Sequence, residues 1–252
     1  MSQSQIVIVT GGSRGIGAAT ARLLGRDKAA VVVNYRSAKA QADAVVRDIE
    51  ASGGQAIAVQ ADVGNEEDIL RLFAETDRAF GALTGLVNNA GTVGGSKRRI
   101  DAITSANVME VMRLNVAGPL LCAREAVRRM STRSGGRGGA IVNVSSLGAL
   151  TGSPNAFIDY AASKGALDTI TIGLAAEVVG SGIRVNAVRP GLIDTEIHEG
   201  LGIPDRVKRF GSTMPIGRAG TAQEVAEAIV WLLSDKASYV TGDFINVTGG
   251  AR

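Results

Sequence analysis

Short apolar runs alternate with longer amphipathic stretches along the whole chain. Seven runs are rich in valine and isoleucine and almost continuously apolar, which is typical of strands covered on both faces. They lie at 5–10, 30–35, 56–61, 84–89, 140–145, 183–188 and 244–249. The periodic stretches between them predict helices at 15–26, 38–52, 66–80, 105–131, 157–180 and 222–234. Strands that alternate with helices predict a parallel sheet with helices on both faces.

The pattern continues without a break, so we predict one α/β domain over residues 1–252. No composition shift, linker or internal repeat divides the chain, and its length suits a single large domain. The glycine-rich piece "SGGRGG" at 134–139 predicts a turn before the fifth strand. The expected architecture is a doubly wound parallel sheet of about seven strands.

Composition narrows the classes of partner. Basic and acidic residues number 27 and 24, a net charge of +3, which calls for no nucleic-acid or membrane partner. The only cysteine, Cys122, excludes an intrachain disulfide framework and a cysteine-based metal cluster, and we expect no metal site. No apolar run approaches the roughly 18–20 residues of a membrane span, and the start lacks signal-peptide features. These features favour a cytoplasmic protein.

A glycine-rich turn joins the first strand to the first helix. The sequence "TGGSRGIG" at 10–17 places Gly11, Gly15 and Gly17 in the pattern G-x-x-x-G-x-G. Glycines permit a tight turn and a close approach of a pyrophosphate, and the helix N-terminus favours that anion. The position of this turn predicts a Rossmann-like dinucleotide-binding site.

The end of the second strand indicates which dinucleotide would bind. NAD enzymes usually carry an acidic residue here, whereas this chain has Asn34, Tyr35, Arg36 and Ser37. With Arg14 in the glycine turn, two cations and no carboxylate favour the 2′-phosphate of NADP(H), with NAD(H) still possible. The alternative is that both arginines are simply solvated.

A tyrosine and a lysine lie four residues apart in "DYAASKGAL" at 159–167. Residues i and i+4 share one helix face, so Tyr160 and Lys164 can meet. A nearby cation favours the phenolate and lowers the pKa of a tyrosine. The spacing by itself fits both a catalytic pair and an ordinary helix surface.

Taken together, these motifs resemble those of the short-chain dehydrogenase/reductase family in its form of about 250 residues. The resemblance covers nearly the whole chain. Beyond the glycine turn, "ADV" (61–63) looks like the adenine-contacting element and "NNAG" (88–91) like the motif after the fourth strand. The segments "RLNVAG", "VNVSS" and "YAASK" resemble the catalytic tetrad, and "RPGLIDT" (189–195) resembles the segment beside the nicotinamide.

The resemblance assigns functional residues. The tetrad would be Asn115, Ser146, Tyr160 and Lys164; Ser146 is preferred to Ser145 because the family's serine is usually the second of such a pair. The expected cofactor contacts are Gly11, Ser13, Arg14, Gly15, Ile16, Gly17, Asn34, Tyr35, Arg36, Ser37, Asp62, Val63, Asn89, Ala90, Gly91, Tyr160, Lys164, Pro190, Gly191, Ile193 and Thr195.

The resemblance also implies a reaction, hydride transfer between NADP(H) and a small-molecule carbonyl or secondary alcohol. Tyr160 would be the general acid/base, with Lys164 lowering its pKa, and Ser146 would bind the substrate oxygen. Asn115 would anchor a water linked to Lys164. Within the family the chain looks closest to 3-oxoacyl-thioester reductases, with sugar 1-dehydrogenases as the alternative. From another class, a non-catalytic NADP(H) sensor would share the fold.

Three further expectations concern the substrate pocket and assembly. Residues 196–215, including His198, would form a lid, with Val93, Gly94, Leu147, Asn155 and Phe157 as candidate wall positions. The segment "SKRR" (96–99) is expected to be a solvated loop rather than a site for an anionic substrate. The family resemblance implies a homotetramer, in which the strand "FINV" at a sheet edge and an apolar helix face meet other subunits; the face would comprise Leu167, Ile170, Thr171 and Leu174.

Overall fold

The computed structural model describes residues 5–196 and 205–252. The strands are β1 (Ile6–Val9), β2 (Ala30–Tyr35), β3 (Gln55–Gln60), β4 (Gly85–Asn88), β5 (Gly139–Val144), β6 (Ile183–Pro190), β7 (Ile193–Asp194), β8 (Gly220–Thr221) and β9 (Phe244–Val247). The α-helices are α1 (Gly15–Arg26), α2 (Lys39–Ala51), α3 (Glu66–Phe80), α4 (Ser105–Met112), α5 (Gly118–Met130), α6 (Gly148–Thr151), α7 (Ile158–Val178), α8 (Arg206–Gly211) and α9 (Ala222–Leu233).

Seven parallel strands form the main sheet, in the order β3-β2-β1-β4-β5-β6-β9. Val7 of β1 pairs with Val31 on one side and with Gly85 on the other. The strand order runs outward in both directions from β1 and β4, so these two strands form a topological switch point. A crevice opens at the carboxyl ends of strands at such a point. The predicted doubly wound α/β fold is therefore confirmed, and "FINV" lies at the sheet edge as expected.

Alternate residues along each strand supply two separate apolar layers. Val7 and Val31 pack with the buried faces of α1, α2 and α9. Ile8 and Val32 point the other way and pack with α3, α5 and the end of α7. Each fully buried aliphatic side chain contributes roughly 1.5–3 kcal/mol to stability relative to an exposed one. Burial on both faces explains why the strand sequences are continuously apolar.

The helix predicted over 105–131 is interrupted. Helix α4 ends at Met112, a π-helical turn covers Arg113–Ala117, and α5 begins at Gly118. A Cβ built on Gly118 would lie 2.5 Å from the carbonyl oxygen of Val63, so the helix start passes unusually close to the turn after β3. The apolar periodicity continues across the turn, and therefore the sequence pattern does not reveal it. Such π turns are frequent at functional sites.

Short elements were also missed because they carry too few residues for a period. These are α6, α8, and the two-stranded parallel sheet of β7 and β8, in which Ile193 pairs with Gly220. Part of the predicted lid, including His198, lies outside the described residues. Among the described helices, none has both the length and the apolarity needed to cross a membrane.

The apolar face predicted for α7 is wrong for two of its residues. Leu167 and Thr171 are 1% and 0% exposed and belong to the subunit's own interior. The exposed residues follow a different stripe, spaced alternately by about four and three positions, and include Ile158, Ala162, Thr169, Ile172 and Ala176. Because α7 is apolar nearly all round, its sequence does not distinguish the inner face from the outer one.

Candidate active site

The glycine turn has the conformation that its sequence requires. Gly11 and Gly15 have φ of +61° and +54°, in the left-handed region that favours glycine. Gly17 is needed for a different reason, since a Cβ there would lie 2.4 Å from the carbonyl oxygen of Gly11. The residue before α1, Arg14, provides no side-chain cap for the first turn of the helix. The free N–H groups of that turn therefore suit an anion.

Asn34 shapes this turn from the end of β2. Its Oδ1 accepts from Gly11 N at 3.1 Å, and its carbonyl accepts from Gly12 N at 2.8 Å. Its Nδ2 donates to the carbonyl of Ala61 at 3.0 Å. The amide group is thus engaged within the protein at the position where a carboxylate would hold a ribose. Arg36 is the nearest charged side chain after Asn34 that lines the cleft.

A cleft of about 340 Å³ lies over the glycine turn. Predicted cofactor residues on its wall are Gly11, Ser13, Arg14, Gly15, Ile16, Asn34, Tyr35, Arg36, Ser37, Asp62, Val63, Asn89, Ala90, Gly91 and Thr195. Gly17 packs beneath the turn instead. Other wall residues were not predicted from the sequence, namely Ala38, Ala61, Thr92, Glu110, Leu114 and Glu196.

Charged side chains form a chain at the outer end of this cleft. Arg36 Nη1 lies 3.8 Å from Glu110 Oε1, and Glu110 Oε2 accepts from Arg113 Nε at 3.1 Å. Arg113 Nη1 in turn donates to Asp62 Oδ2 at 3.1 Å. Glu110 and Arg113 were missed because the π turn, and not a regular helix, brings Arg113 towards Asp62.

A second cavity of about 320 Å³ adjoins the cleft, since Ile16, Asn89, Gly91 and Thr195 line both. Its wall contains Ser146, Tyr160, Lys164 and the predicted Pro190, Gly191 and Ile193. Three of the five predicted wall positions line it, Val93, Leu147 and Phe157, whereas Gly94 and Asn155 do not. Met214, which lies in the predicted lid, also lines it, and the wall residues that were not predicted are Val144, Gly148, Thr151, Ser153, Leu192 and Ala251.

Lys164 is buried beside Tyr160 on one face of α7. Its Nζ donates to the carbonyl of Val144 at 2.7 Å and lies 5.6 Å from the centre of the Tyr160 ring. Burial lowers the pKa of Lys164 from 10.5 to about 8, and the negative charge of Asp168 opposes that shift. A lysine in this state still carries its charge near neutral pH and can favour the tyrosine phenolate.

The two candidate serines have different surroundings. Ser145 is 2% exposed, and its Oγ donates to the backbone carbonyl of Lys164 at 3.4 Å. Ser146 is partly exposed in the cavity, and its Oγ accepts from Gly148 N at 3.0 Å. A Cβ on Gly148 would lie 3.2 Å from Ser146 Oγ and 3.7 Å from Tyr160 Cε1. Ser146 and Tyr160 therefore converge on one side of the cavity.

Asn115 lies behind the cavity wall rather than on it. Its Nδ2 donates to the carbonyl of Thr92 at 2.8 Å and to Ser163 Oγ at 3.0 Å, and its Oδ1 accepts from Thr92 N at 2.8 Å. A Cβ on Gly91 would lie 3.3 Å from Asn115 Oδ1 and 3.6 Å from Lys164 Nζ. The π turn thus places the Asn115 amide close to the lysine.

The expectation that "SKRR" is simply a solvated loop is wrong for Arg98. Its side chain is 8% exposed and forms an ion pair with Asp159, which immediately precedes Tyr160. Arg98 also donates to the carbonyl of Val93 at 3.1 Å. No local sequence pattern indicates this ion pair, because its two residues are 61 positions apart in the chain.

Comparisons with known proteins agree with this geometry. A short-chain dehydrogenase family model described as enoyl-(acyl carrier protein) reductase matches residues 11–252. This chain belongs to the short-chain dehydrogenase/reductase family. It is 51% identical over 245 residues to YgfF, an uncharacterized oxidoreductase of Escherichia coli (strain K12), covering 97% of this chain and 99% of that protein.

Two further relatives carry more specific names. The chain is 38% identical to a 3-oxoacyl-[acyl-carrier-protein] reductase of Synechocystis sp., covering 98% of this chain and 96% of that protein. It is 36% identical to a glucose and ribitol dehydrogenase homolog of Oryza sativa subsp. japonica, covering 98% of this chain and 86% of that protein. A crystal structure of a dehydrogenase/reductase from Sinorhizobium meliloti 1021 superposes with a TM-score of 0.89 at 35% sequence identity. The superposition covers 98% of this chain and 94% of that chain.

Membership of the short-chain dehydrogenase/reductase family implies a nicotinamide cofactor, and the cleft fits one. The glycines with left-handed backbone conformation and the uncapped first turn of α1 suit a pyrophosphate. Tyr160 and Lys164 lie on the wall of the cavity that adjoins this cleft. Within the described ranges, no three histidine, cysteine, aspartate or glutamate side chains are grouped to hold a metal ion.

The lowered pKa of Lys164 predicts a dependence of stability on pH. Between pH 8 and pH 10.5 the unfolded lysine holds a proton that the folded lysine has lost, so the free energy of unfolding rises with pH. We compare Tyr160→Phe with Tyr160→Phe/Lys164→Met, so that the neighbouring phenol does not titrate. Urea unfolding at pH 7.5 and 10 should show the lysine-containing protein gaining about 2 kcal/mol relative to the methionine variant. An equal change in both proteins would contradict the shift.

Proposed function

We propose that this protein is an NADP(H)-dependent oxidoreductase that interconverts a carbonyl and a secondary alcohol. The observation that carries the proposal is the convergence of Ser146, Tyr160 and the buried Lys164 on a cavity that adjoins the cleft over the glycine turn. We also propose a cytoplasmic location. The protein's single cysteine, Cys122, is buried in α5, and burial raises the pKa of its thiol to about 12. An unreactive thiol of this kind suits a protein of the cytoplasm.

The chain's own residues would bind the cofactor along the cleft. Gly11, Gly15 and the first turn of α1 would hold the pyrophosphate, and Asp62 would lie at the adenine end. When bound, the nicotinamide cofactor supplies the hydride chemistry. Arg14 and Arg36 lie on the cleft wall and favour a 2′-phosphate, although the carboxylate of Glu110 near Arg36 would weaken this preference.

Tyr160 would move the proton that the reaction requires. During reduction its hydroxyl gives a proton to the substrate oxygen, and during oxidation its phenolate takes one. The charge of Lys164 favours the phenolate, and its burial strengthens that interaction because the surroundings have a low dielectric constant. Ser146 would donate to the same oxygen as negative charge develops on it. Asn115 would anchor a water that restores the proton through Lys164.

The cavity wall favours an uncharged, largely apolar substrate. Among the described residues on this wall, Lys164 is the only one with a charged side chain, and it is already bound to Val144. Val93, Leu147, Phe157, Leu192 and Met214 supply apolar surface. A 3-oxoacyl thioester presents an apolar chain beside its ketone, whereas a sugar needs many hydrogen bonds. We therefore favour the thioester class, and the relative named glucose and ribitol dehydrogenase homolog keeps a sugar as the second candidate.

A non-catalytic NADP(H) sensor is the remaining alternative. A sensor needs the cleft but not the converging hydroxyls of Ser146 and Tyr160, nor a lysine charge held in a buried position. Each of these groups is present, which supports an enzyme. Turnover of any ketone with NADPH would separate the two functions.

Loss of the hydroxyl group of Tyr160 or of Ser146 should abolish most turnover. Tyr160→Phe and Ser146→Ala are each expected to lower kcat by roughly 10²–10⁴-fold, because proton transfer and charge stabilisation are lost. Ser145→Ala is the matched control and should have a milder effect. The assay uses a panel of acyl thioesters, cyclic ketones, dicarbonyls and sugars with NADPH and NADH. A panel without turnover in the unaltered protein would favour the sensor, and equal effects of the two serine variants would remove Ser146 from its assigned role.

Arg36 should set the preference for NADPH. Arg36→Asp removes a cation and places a carboxylate near the 2′-phosphate, so the Kd of NADPH should rise roughly 10- to 100-fold while that of NADH changes little. Arg47→Asp, an exposed change of the same charge on α2, serves as the control. Fluorescence titration measures both constants, and a parallel change for the two cofactors would show that Arg36 does not contact this phosphate.

We further propose a homotetramer with two kinds of two-fold interface. The exposed stripe of α7, with Ile158 and Ile172 at 42% and 56% exposure, is an apolar surface that suits a second copy of the helix. The edge strand β9 pairs only with β6 among the described strands and suits an interface across the sheet edge.

A charge placed on the α7 stripe should weaken this assembly. Ile172→Glu is expected to shift the mass measured by light scattering from that of four 25.8 kDa chains towards two or one. Leu70→Glu, a change at a similarly exposed position on α3, should leave the mass unchanged. A single-chain mass for the unaltered protein at micromolar concentration would refute the proposal.

A further inference from the structure

Two buried ion pairs lie on either side of the segment of α7 that carries Tyr160 and Lys164. Asp159, directly before Tyr160, pairs with Arg98 of the loop after β4. Asp168, one turn after Lys164, accepts from Arg189 near the end of β6, with both guanidinium contacts at 2.9 Å. The carboxylate side chains are 3% and 11% exposed. The segment that carries Tyr160 and Lys164 is therefore held at both ends by charged groups from other elements.

The first pair joins α7 to a wall of the cavity. Arg98 donates to the carbonyls of Val93, which lines the cavity, and of Ser96 at 3.1 and 3.0 Å. Its backbone N donates to the carbonyl of Ala156 at 2.9 Å, just before α7. Asp159 Oδ1 accepts from Tyr160 N at 3.0 Å. The pair thus connects the loop after β4 with the backbone of the catalytic tyrosine.

The second pair joins α7 to another part of the cavity wall. Arg189 precedes Pro190, which lines the cavity, and its guanidinium carbon lies 3.8 Å from the centre of the Phe244 ring. Asp168 shares one face of α7 with Lys164 because the two are four residues apart. Its charge also opposes the loss of the lysine's proton on burial. This pair therefore acts on both the position and the charge of Lys164.

Neither pair is what a fold selected only for stability would contain. The desolvation of two charges in the interior roughly cancels their attraction, and apolar residues of similar volume are often as stable or more so. Each pair also leaves one buried polar atom without a hydrogen-bond partner in the described chain, Arg98 Nε and Asp168 Oδ1. An incompletely satisfied buried group is a cost that calls for an explanation.

We propose that Arg98–Asp159 and Arg189–Asp168 are positioning pairs, which hold Tyr160 and Lys164 in register with the two cavity walls. The inference rests on the proposed function of Tyr160 and Lys164. It assigns no contact with substrate to any of the four residues. The two carboxylates act through the neighbouring α7 residues, and the two arginines act through the carboxylates.

The decisive variants remove both charges of each pair, so that neither partner is left alone. The second variant also removes the Asp168 charge near Lys164, and its kcat therefore reports on both the position and the charge of that lysine. Arg98→Met/Asp159→Leu and Arg189→Met/Asp168→Leu should unfold at temperatures no lower than the unaltered protein and bind NADPH with an unchanged Kd. Their kcat should nevertheless fall at least roughly 10-fold, because a small displacement of a reacting group is costly in rate. Arg129→Met/Glu125→Leu removes a buried carboxylate and the least exposed of its arginine partners on α5, away from the site, and should leave kcat unchanged. Stable double variants with normal kcat would overturn the proposal.

A spectroscopic measurement tests the first pair without turnover. Asp159→Asn keeps an oxygen that can accept from Tyr160 N but leaves the charge of Arg98 uncompensated, so the pKa of the Tyr160 phenol should fall. The absorbance titration of the phenol is obtained by subtracting the curve of a protein that also carries Tyr160→Phe. The charged groups on the elements around Tyr160 that can affect the pKa of its phenol are Lys164, Asp159 and Asp168 on α7, Arg98 in the loop after β4, and Arg189 on β6. Strand β5 and the π turn contribute the neutral Val144 carbonyl, Ser145 and Asn115.

The two measurements separate this proposal from the proposed function. An unaltered protein without turnover would contradict the enzyme, whereas the titration would still report whether Asp159 acts on Tyr160. A phenol pKa that does not move in Asp159→Asn would overturn the positioning role, whatever the activity. A lowered pKa together with lost kcat in the apolar double variants would support it.

Discussion

The charge of Lys164 is held out of water, and the rest of the site is arranged around that constraint. A buried ammonium group is costly unless it is paired or hydrogen-bonded. The protein supplies the carbonyl of Val144 at the end of β5, the aromatic ring of Tyr160, and the carboxylate of Asp168 one turn away. These contacts keep the lysine charged near neutral pH while its pKa remains low. The same group that destabilises the fold is the one that can lower the pKa of a phenol.

The parallel sheet is what makes this arrangement possible. The glycine turn after β1, the loop after β4, Ser146 after β5 and Pro190 at the end of β6 all lie at the carboxyl ends of adjacent strands. A crevice at the switch point between β1 and β4 collects them into one cleft with an inner cavity. Helix α7 crosses this edge with one face turned inward, so its position relative to β5 and β6 decides the geometry of Tyr160 and Lys164.

Much of the site could be predicted because its signals are local. The glycine spacing at 11, 15 and 17 reflects left-handed backbone and close packing within one turn, and the four-residue spacing of Tyr160 and Lys164 is a property of a single helix. Ser145 and Ser146 could not be told apart by periodicity alone. In the structure both line the inner cavity, but Ser145 is buried with its Oγ donating to the backbone of α7, whereas Ser146 is partly exposed.

The sequence by itself determined the order of strands and helices, the doubly wound fold and the positions of the family's motifs. Only the tertiary structure decided that Arg98 pairs with Asp159, that Arg113 links Glu110 to Asp62, and which face of α7 is exposed. The physical reason is the range of each interaction. Periodicity and turn chemistry act between neighbours in the chain, whereas an ion pair across 61 positions, or the choice between two apolar faces, depends on which elements pack together.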